Sequence, residues 1–340
     1  MRALVCHAYG PIETLKIEDV PKPEPKAGEI LVKVGAAGVS FAAMLGVQGK
    51  HQNKPPLPYV PGNEIAGEIV ALGEGVTHLK IGQRIATGGS RGGFAEYAVT
   101  MAANAAVLPD SLPYAEATNF PTLYPTAYGA LKWKANLQPG EVLLVHGAGG
   151  GSGLTGIEVG KAMGATVIAS AGGPDKLAAA KAAGADHLID YRHEDLRTGV
   201  LEVTDGRGAD VIYDPVGGSA FDISLRCVAP EGRIIPMGFA SGTIPQIPAN
   251  ILLVKNVTVI GFYFGFWTGW GGKTAPSARD SAALAKRQAM VADAQATLMR
   301  WFTEGKLKAV VAGRFDLADW IKAFRLIEER TVVGKAVLVP

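Results

Sequence analysis

Residues 142–164 read VLLVHGAGGGSGLTGIEVGKAMG, and this stretch constrains the fold more than any other. An apolar, β-branched run stops at the seven residues 147–153, of which five are glycine, and apolar residues then resume at helical spacing. The pattern is that of a strand, a tight turn and a helix. The first turn of a helix carries unpaired N–H groups and the positive end of the helix dipole. Removing side chains there lets a phosphate reach those N–H groups. The spacing Gly147-x-x-Gly150-x-x-Gly153 is a variant of the dinucleotide-binding fingerprint. Glycine-rich loops also make plain tight turns, so the surrounding pattern has to decide.

That pattern is regular. Strands are expected at 142–146, 166–170, 187–191, 210–214, 233–237 and 257–262, with helices at 152–163, 175–183, 194–204 and 219–229 between them. Such alternation implies βαβ crossovers and a doubly wound parallel sheet of the Rossmann type. Residues 1–121 differ: they are rich in Pro, Gly and short Val/Ile runs such as EILVKVGAAGV and EIAGEIVALG, which suggests a twisted, mainly β region. Beyond 264 comes an Ala-rich helical pattern at 281–305, then a strand, a helix and a strand ending in GKAVLVP. The nucleotide domain (122–264) therefore reads as inserted between two parts, 1–121 and 265–340, of another domain.

Composition excludes several function classes. With 33 Lys+Arg against 31 Asp+Glu the net charge is +2, which offers no footprint for nucleic acid or a membrane surface. No apolar run approaches the roughly 18 residues of a membrane span. The two cysteines, Cys6 and Cys227, form no CxxC pair, which rules out a disulfide framework and a four-cysteine zinc lobe. Cys6-His7 lies in an expected first strand, where a core position explains it better than a ligand role. A reducing, cytoplasmic setting is the expectation.

The end of the second strand bears on the choice of dinucleotide. An NAD site usually places Asp or Glu there, on the ribose hydroxyls. Here the strand runs out through Ser170-Ala171-Gly172-Gly173, with no carboxylate before Asp175. A small neutral end leaves room for the 2′-phosphate of NADPH, with Lys176 just beyond and Tyr191 ending the next strand. The competing reading of Lys176 is an exposed helix lysine.

Several longer motifs stand in order along the whole chain: GEILVKVGAAGVSF (28–41), PPLPYVPGNEIAGEIVALGEGV (55–76), GGFAEYAV (92–99), YPTAYGAL (124–131), VLLVHGAGGGSG (142–153), GADHLIDYR (184–192), GADVIYDPVGG (208–218), GRIIPMGFASG (232–242) and VVGKAVLV (332–339). Together they resemble the zinc-independent quinone oxidoreductases of the medium-chain dehydrogenase/reductase superfamily, the group that includes zeta-crystallin. The resemblance implies a GroES-like catalytic domain joined to the Rossmann domain. It also implies hydride transfer from NADPH to a quinone or an α,β-unsaturated carbonyl. It assigns Thr126 to the nicotinamide or diphosphate, Gly150, Gly151 and Gly153 to the diphosphate, and Lys176 and Tyr191 to the 2′-phosphate. Gly238, Phe239 and Lys335 fall at positions that approach the cofactor. Where zinc members carry Gly-His-Glu, this chain reads Gly62-Asn63-Glu64, and the early cysteine position falls in Gly38-Val39-Ser40. No zinc is expected.

The chain departs from that pattern around the acceptor. A usual Asn and Asp are replaced by Ser40 and Ala43, and two usual tyrosines by Leu45 and His51. Ser40, His51 and Tyr59 remain as groups able to hydrogen-bond or protonate an acceptor, with Tyr124 and Tyr128 as further candidates; the competing readings are an exposed loop histidine and packed tyrosines. A quinone accepts hydride with little acid help, which suits a site sparse in acids, whereas an enone or enoyl thioester gives an enolate that needs more. A non-catalytic NADPH-binding protein is the alternative from another class. The aromatic run GFYFGFWTGW (261–270) reads as a cleft wall or a subunit contact, and a homodimer is expected through the edge strand 257–262.

Overall fold

The computed structural model describes residues 1–51, 54–89, 92–269 and 279–340. The chain divides into two compact units, Met1–Thr122 with Ala309–Pro340, and Leu123–Lys308.

The first unit is built on a seven-stranded mixed sheet. Its central strand, Glu29–Val39, is antiparallel to Glu64–Leu72 on one side. On the other it pairs first with Tyr97–Met101 and then with Lys335–Val339. Register breaks at Leu31/Val32 and Val34/Ala36 bend the strand so that it serves all three partners. Gly67 lies opposite that bend; a Cβ there would come within 2.1 Å of the Lys33 carbonyl oxygen. Ile30, Val32, Ile65, Ile69, Ile85 and Phe94 fill the interior together with Phe324 from the helix Trp320–Glu328.

The second unit holds a six-stranded, all-parallel sheet. Its strands are β1 (Val142–Val145), β2 (Thr166–Ala171), β3 (His187–Asp190), β4 (Ala209–Asp214), β5 (Val228–Pro236) and β6 (Thr258–Val259). The crossover helices are α1 (Gly151–Ala162), α2 (Pro174–Ala182), α3 (Leu196–Val203) and α4 (Ser219–Cys227). The spatial order β3-β2-β1-β4-β5-β6 reverses direction between β1 and β4, the switch point at which such sheets bind nucleotides. Leu144, Ile168, Ile189, Ile212 and Ile234 point from successive strands into one core with Phe221 of α4. A parallel sheet covered on both faces needs such continuous apolar strands.

Three expectations are corrected. Helix α3 starts at Leu196 rather than 194, because Asp195 caps it: its carboxylate accepts the Thr198 N–H at 2.8 Å. The edge strand is two residues long rather than 257–262; after a last bond from the Ile260 N–H to the Ile234 carbonyl at 2.9 Å the chain leaves the sheet, and Phe262 joins an aromatic cluster, its ring 6.0 Å from that of Trp267. The return to the first unit falls at 308/309 rather than 264. The helix Ser281–Thr303 buries Val291, Ala294 and Leu298 and sets Trp301 5.7 Å from Tyr128, which keeps it in the nucleotide unit. At its far end the Lys308 N–H reaches the buried Glu158 carboxylate of α1 at 3.2 Å.

Candidate functional site

The turn after β1 is fixed from both sides. The His146 N–H donates to the Tyr213 carbonyl at 3.0 Å, and the Ala148 N–H to the Ser170 carbonyl at 3.1 Å. Gly147 has φ +57°, and a Cβ on Gly153 would lie 2.2 Å from the Gly147 oxygen, so both glycines are demanded by the fold. Gly150 is not. It caps α1 with φ −86° and ψ 167°, open to any residue, and a Cβ there would meet only the Gly147 oxygen, at 3.6 Å. The fold therefore does not require a glycine at Gly150, and the missing side chain leaves the space beside the start of α1 open. The N–H groups of Gly151, Ser152 and Gly153, which have no carbonyl one turn earlier within α1, open the helix beside it.

The end of β2 gathers cations. A Cβ on Gly172 would touch Tyr191 Oη and Arg192 Nε, each at 2.8 Å, and a Cβ on Gly149 would touch the stem of Lys176 at 2.5 Å. Lys176, Tyr191 and Arg192 thus crowd the loop that joins β2 to α2. Burial, with the Arg192 charge beside it, pushes the Lys176 ammonium below its ordinary pKa. Asp190 Oδ1 accepts the backbone N–H groups of Gly173 (3.3 Å) and Arg192 (3.1 Å), which holds the loop. Ser170 is buried behind it. Arg192 escaped the sequence reading, although it directly follows Tyr191 in the motif GADHLIDYR; strand periodicity does not reveal that the chain turns back over Gly172.

Beyond the carboxyl ends of β4 and β5 the site continues. Asp214 Oδ1 accepts the N–H groups of Val216 (2.8 Å) and Gly217 (3.0 Å). Gly238 and Phe239 follow β5 and line a cavity of about 860 Å³ with aromatic residues of 262–267. Thr126 holds its Oγ1 buried without a hydrogen-bond partner. A dinucleotide fits these features: it supplies the phosphate that Gly150 leaves room for, an anion for the cations at Gly172, and a polar partner for Thr126. Phosphate recognition at a helix N-terminus and at paired cations needs no further group.

The acceptor candidates of the first unit are not brought together. Ser40 caps the helix Phe41–Val47, its Oγ accepting the Ala43 N–H at 3.1 Å. His51 lies past the other end of that helix, its N–H on the Leu45 carbonyl at 3.1 Å. Seven helical residues put about 10 Å between those ends. Tyr59 pairs by backbone with Cys6 and sits by Gly46, and burial together with Cys6 raises its phenol far above the ordinary range, which makes it a hydrogen-bond donor rather than an acid. Tyr124 is spent on the buried Glu158, to which its hydroxyl donates. Lys335 is not an exposed cation: its ammonium is buried, donating to Glu64 and, at 2.7 Å, to the Thr118 carbonyl. The partners lie 271 residues apart in sequence, which kept this pair from view.

Comparison with known proteins agrees with this architecture. Residues 26–110 match the alcohol dehydrogenase GroES-like domain and residues 151–274 the zinc-binding dehydrogenase domain. The chain is 39% identical to a quinone oxidoreductase-like protein 2 homolog of Nematostella vectensis, over 99% of this chain and 88% of that protein. It is 32% identical to a quinone oxidoreductase of Pseudomonas aeruginosa, over 98% of both. The crystal structure of Escherichia coli quinone oxidoreductase complexed with NADPH superposes with a TM-score of 0.88 at 28% identity, over the full length of both chains. A GroES-like unit interrupted by a doubly wound nucleotide unit defines the medium-chain dehydrogenase/reductase class of oxidoreductases, and within that class the chain belongs to the quinone oxidoreductase family.

Proposed function

We propose that the chain is a zinc-independent, NADPH-dependent reductase of quinones. The observation that carries the cofactor choice is the cluster of Lys176, Arg192 and Tyr191 around a strand end without a carboxylate. The 2′-phosphate of NADPH binds these cations, the diphosphate lies on the N-terminus of α1 past Gly150, and Thr126 Oγ1 takes a polar group nearer the nicotinamide. Two relatives of known structure, the E. coli enzyme and mycobacterial Rv1454c, were crystallised with NADPH, which supports the assignment.

When bound, NADPH supplies a hydride; a quinone that takes it with one proton becomes a hydroquinone. The chain's contribution is to hold the ring against the acceptor and to keep water out. Phe239 and the aromatic wall at 262–267 provide a flat apolar surface for that purpose. Ser40, His51 and Tyr59 are spread along and beside one short helix, which fits an acceptor whose reduced form leaves as a weakly basic anion and takes its proton from solvent. An enone would need a positioned acid on one carbon.

Zinc independence rests on the ligand chemistry. Glu64 is neutralised by Lys335, Asn63 stands where a histidine would bind metal, and no group of three His, Cys, Asp or Glu able to hold a metal occurs among the described residues. The homodimer is proposed through the edge of the sheet at β6. Leu253 and Val254 on the helix Ala249–Lys255 are 77% and 75% exposed beside that edge, and a partner would cover them. A cytoplasmic location suits the two buried, unpaired thiols of Cys6 and Cys227, and no helix among the described residues is long and apolar enough to cross a membrane. The test is NADPH oxidation with a panel of quinones and enals. Saturable turnover of quinones supports the assignment; tight NADPH binding with no turnover of either class overturns it.

A further inference from the structure

The 860 Å³ cavity beyond the carboxyl ends of β5 and β6 has a charge pattern that a neutral quinone does not use. Its apolar wall includes Phe262, Phe266 and Trp267. The Trp267 ring stacks on Trp133 with centroids 4.5 Å apart and planes 16° from parallel, which makes the wall stiff and flat. Three cations line the same cavity, Lys134, Lys286 and Arg287, and among the described lining residues there is no Asp or Glu. The chain as a whole carries nearly equal numbers of both signs, so a lining whose described residues include three basic side chains and no acidic one is locally basic. Arg287 is held in place, its guanidinium 4.6 Å from the Phe266 ring centre. Cations on an aromatic face keep their charge directed outward while the ring fixes their position. Gly238 and Phe239, on the proposed cofactor path, form part of the same lining.

We propose that this cavity takes an acceptor with a flat ring of one or two fused six-membered rings that also bears an acidic group, a carboxylate or phosphate, on a short side chain. The ring lies along the wall of 262–267, and the anion is bound by Lys286, Arg287 and Lys134. A volume of about 860 Å³ falls within the range of small-molecule sites and is larger than a simple benzoquinone needs. The excess volume accommodates the side chain that carries the acid to the cations. This inference names the substrate class of the proposed reductase and rests on that reading for the ring's role as hydride acceptor.

The test compares matched pairs. The first pair is 3-(1,4-naphthoquinon-2-yl)propanoate and its methyl ester as acceptors with NADPH; the second is 3-(2-naphthyl)propanoate and its amide, which cannot be reduced, titrated by quenching of tryptophan fluorescence. One charge-assisted contact corresponds to about a 10- to 100-fold preference. The acid is expected to exceed the ester in kcat/KM, and the naphthyl acid to bind more tightly than its amide, each by at least tenfold at low salt and less at high salt. Lys134→Gln with Lys286→Gln, both exposed side chains whose loss leaves the fold intact, and separately Arg287→Gln, should pull both ratios toward one. If the naphthyl acid binds selectively but no quinone is reduced, the anion site stands and the quinone assignment falls. If both quinones are reduced equally and the naphthyl pair bind alike, the reductase stands and the anion site is overturned.

Discussion

Gly150→Ala separates what the fold needs from what the ligand needs. The backbone at Gly150 is ordinary extended conformation, and the new methyl would meet only one protein atom, the Gly147 oxygen, at 3.6 Å. Losing glycine lowers unfolded-chain entropy, which stabilises by about 0.4–1 kcal/mol. Alanine is a poorer helix cap than glycine, by an amount of similar size. The two effects offset, so the melting temperature of the ligand-free protein should stay within about 2 °C of wild type. The bound diphosphate, by contrast, would be pushed off the N–H groups of Gly151 and Ser152. Loss of one charge-assisted hydrogen bond costs about 1.5–3 kcal/mol, or roughly 10- to 100-fold in Kd. NADPH and NADH share the diphosphate, so both should weaken by the same factor, read from fluorescence titrations beside thermal denaturation of the apo protein. Unchanged NADPH affinity would refute the placement of the diphosphate. A large loss of apo stability would refute the claim that the fold does not need this glycine.

Lys176→Ala and Arg192→Ala should each weaken NADPH about 10- to 100-fold and leave NADH nearly unchanged, since only NADPH carries the 2′-phosphate; equal weakening of both cofactors in titration would contradict this. Lys335→Met strands the Glu64 carboxylate in the interior and should cost about 3–5 kcal/mol in denaturant unfolding, most of it recovered by adding Glu64→Gln; a double variant as unstable as the single one would show that the charge is not the cause. Burial holds the His146 imidazole, whose Nε2 lies 2.8 Å from Ser224 Oγ, below its ordinary pKa. Its folded pKa is depressed, so unfolded chains take up the proton first and stability is lost as pH falls below about 6.5, by up to about 1.4 kcal/mol per pH unit. The stability gap between wild type and His146→Gln should therefore shrink from pH 7.5 to pH 5.5; a constant gap would contradict the neutral, buried histidine.

The parallel sheet was readable because its strands are near-continuous β-branched runs closed by glycines, and buried parallel strands allow little else. The glycine turn was readable because it follows the first strand of that alternating pattern; that Gly150, unlike Gly147 and Gly153, meets no demand of the fold emerged only from its backbone angles and surroundings. Other elements left weaker marks. The helix Ala249–Lys255 buries none of its residues, so no apolar period announced it. The helix Ser281–Thr303 showed its period, but Val291, Ala294 and Leu298 fit any apolar groove, and its place in the nucleotide unit emerged only from its packing. In the site, Lys176 and Tyr191 followed from the strand ends, whereas Arg192 needed the turn over Gly172. Ser40 was read as a substrate hydroxyl, yet a serine directly before the run Phe41–Val47 is a natural helix cap, and its Oγ accepts the Ala43 N–H. The ion pair of Lys335 and Glu64 joins the two strands that flank the central strand Glu29–Val39, far apart in sequence, and has no local signature.

The central claim, a metal-independent NADPH:quinone reductase, is tested most directly by one steady-state measurement on wild-type protein dialysed against chelator. NADPH and then NADH oxidation would be followed with 1,4-naphthoquinone as acceptor. The account predicts saturable turnover that survives chelation, with kcat/KM for NADPH at least tenfold above that for NADH. Activity that vanishes with the chelator and returns with zinc, or a preference for NADH, would contradict it.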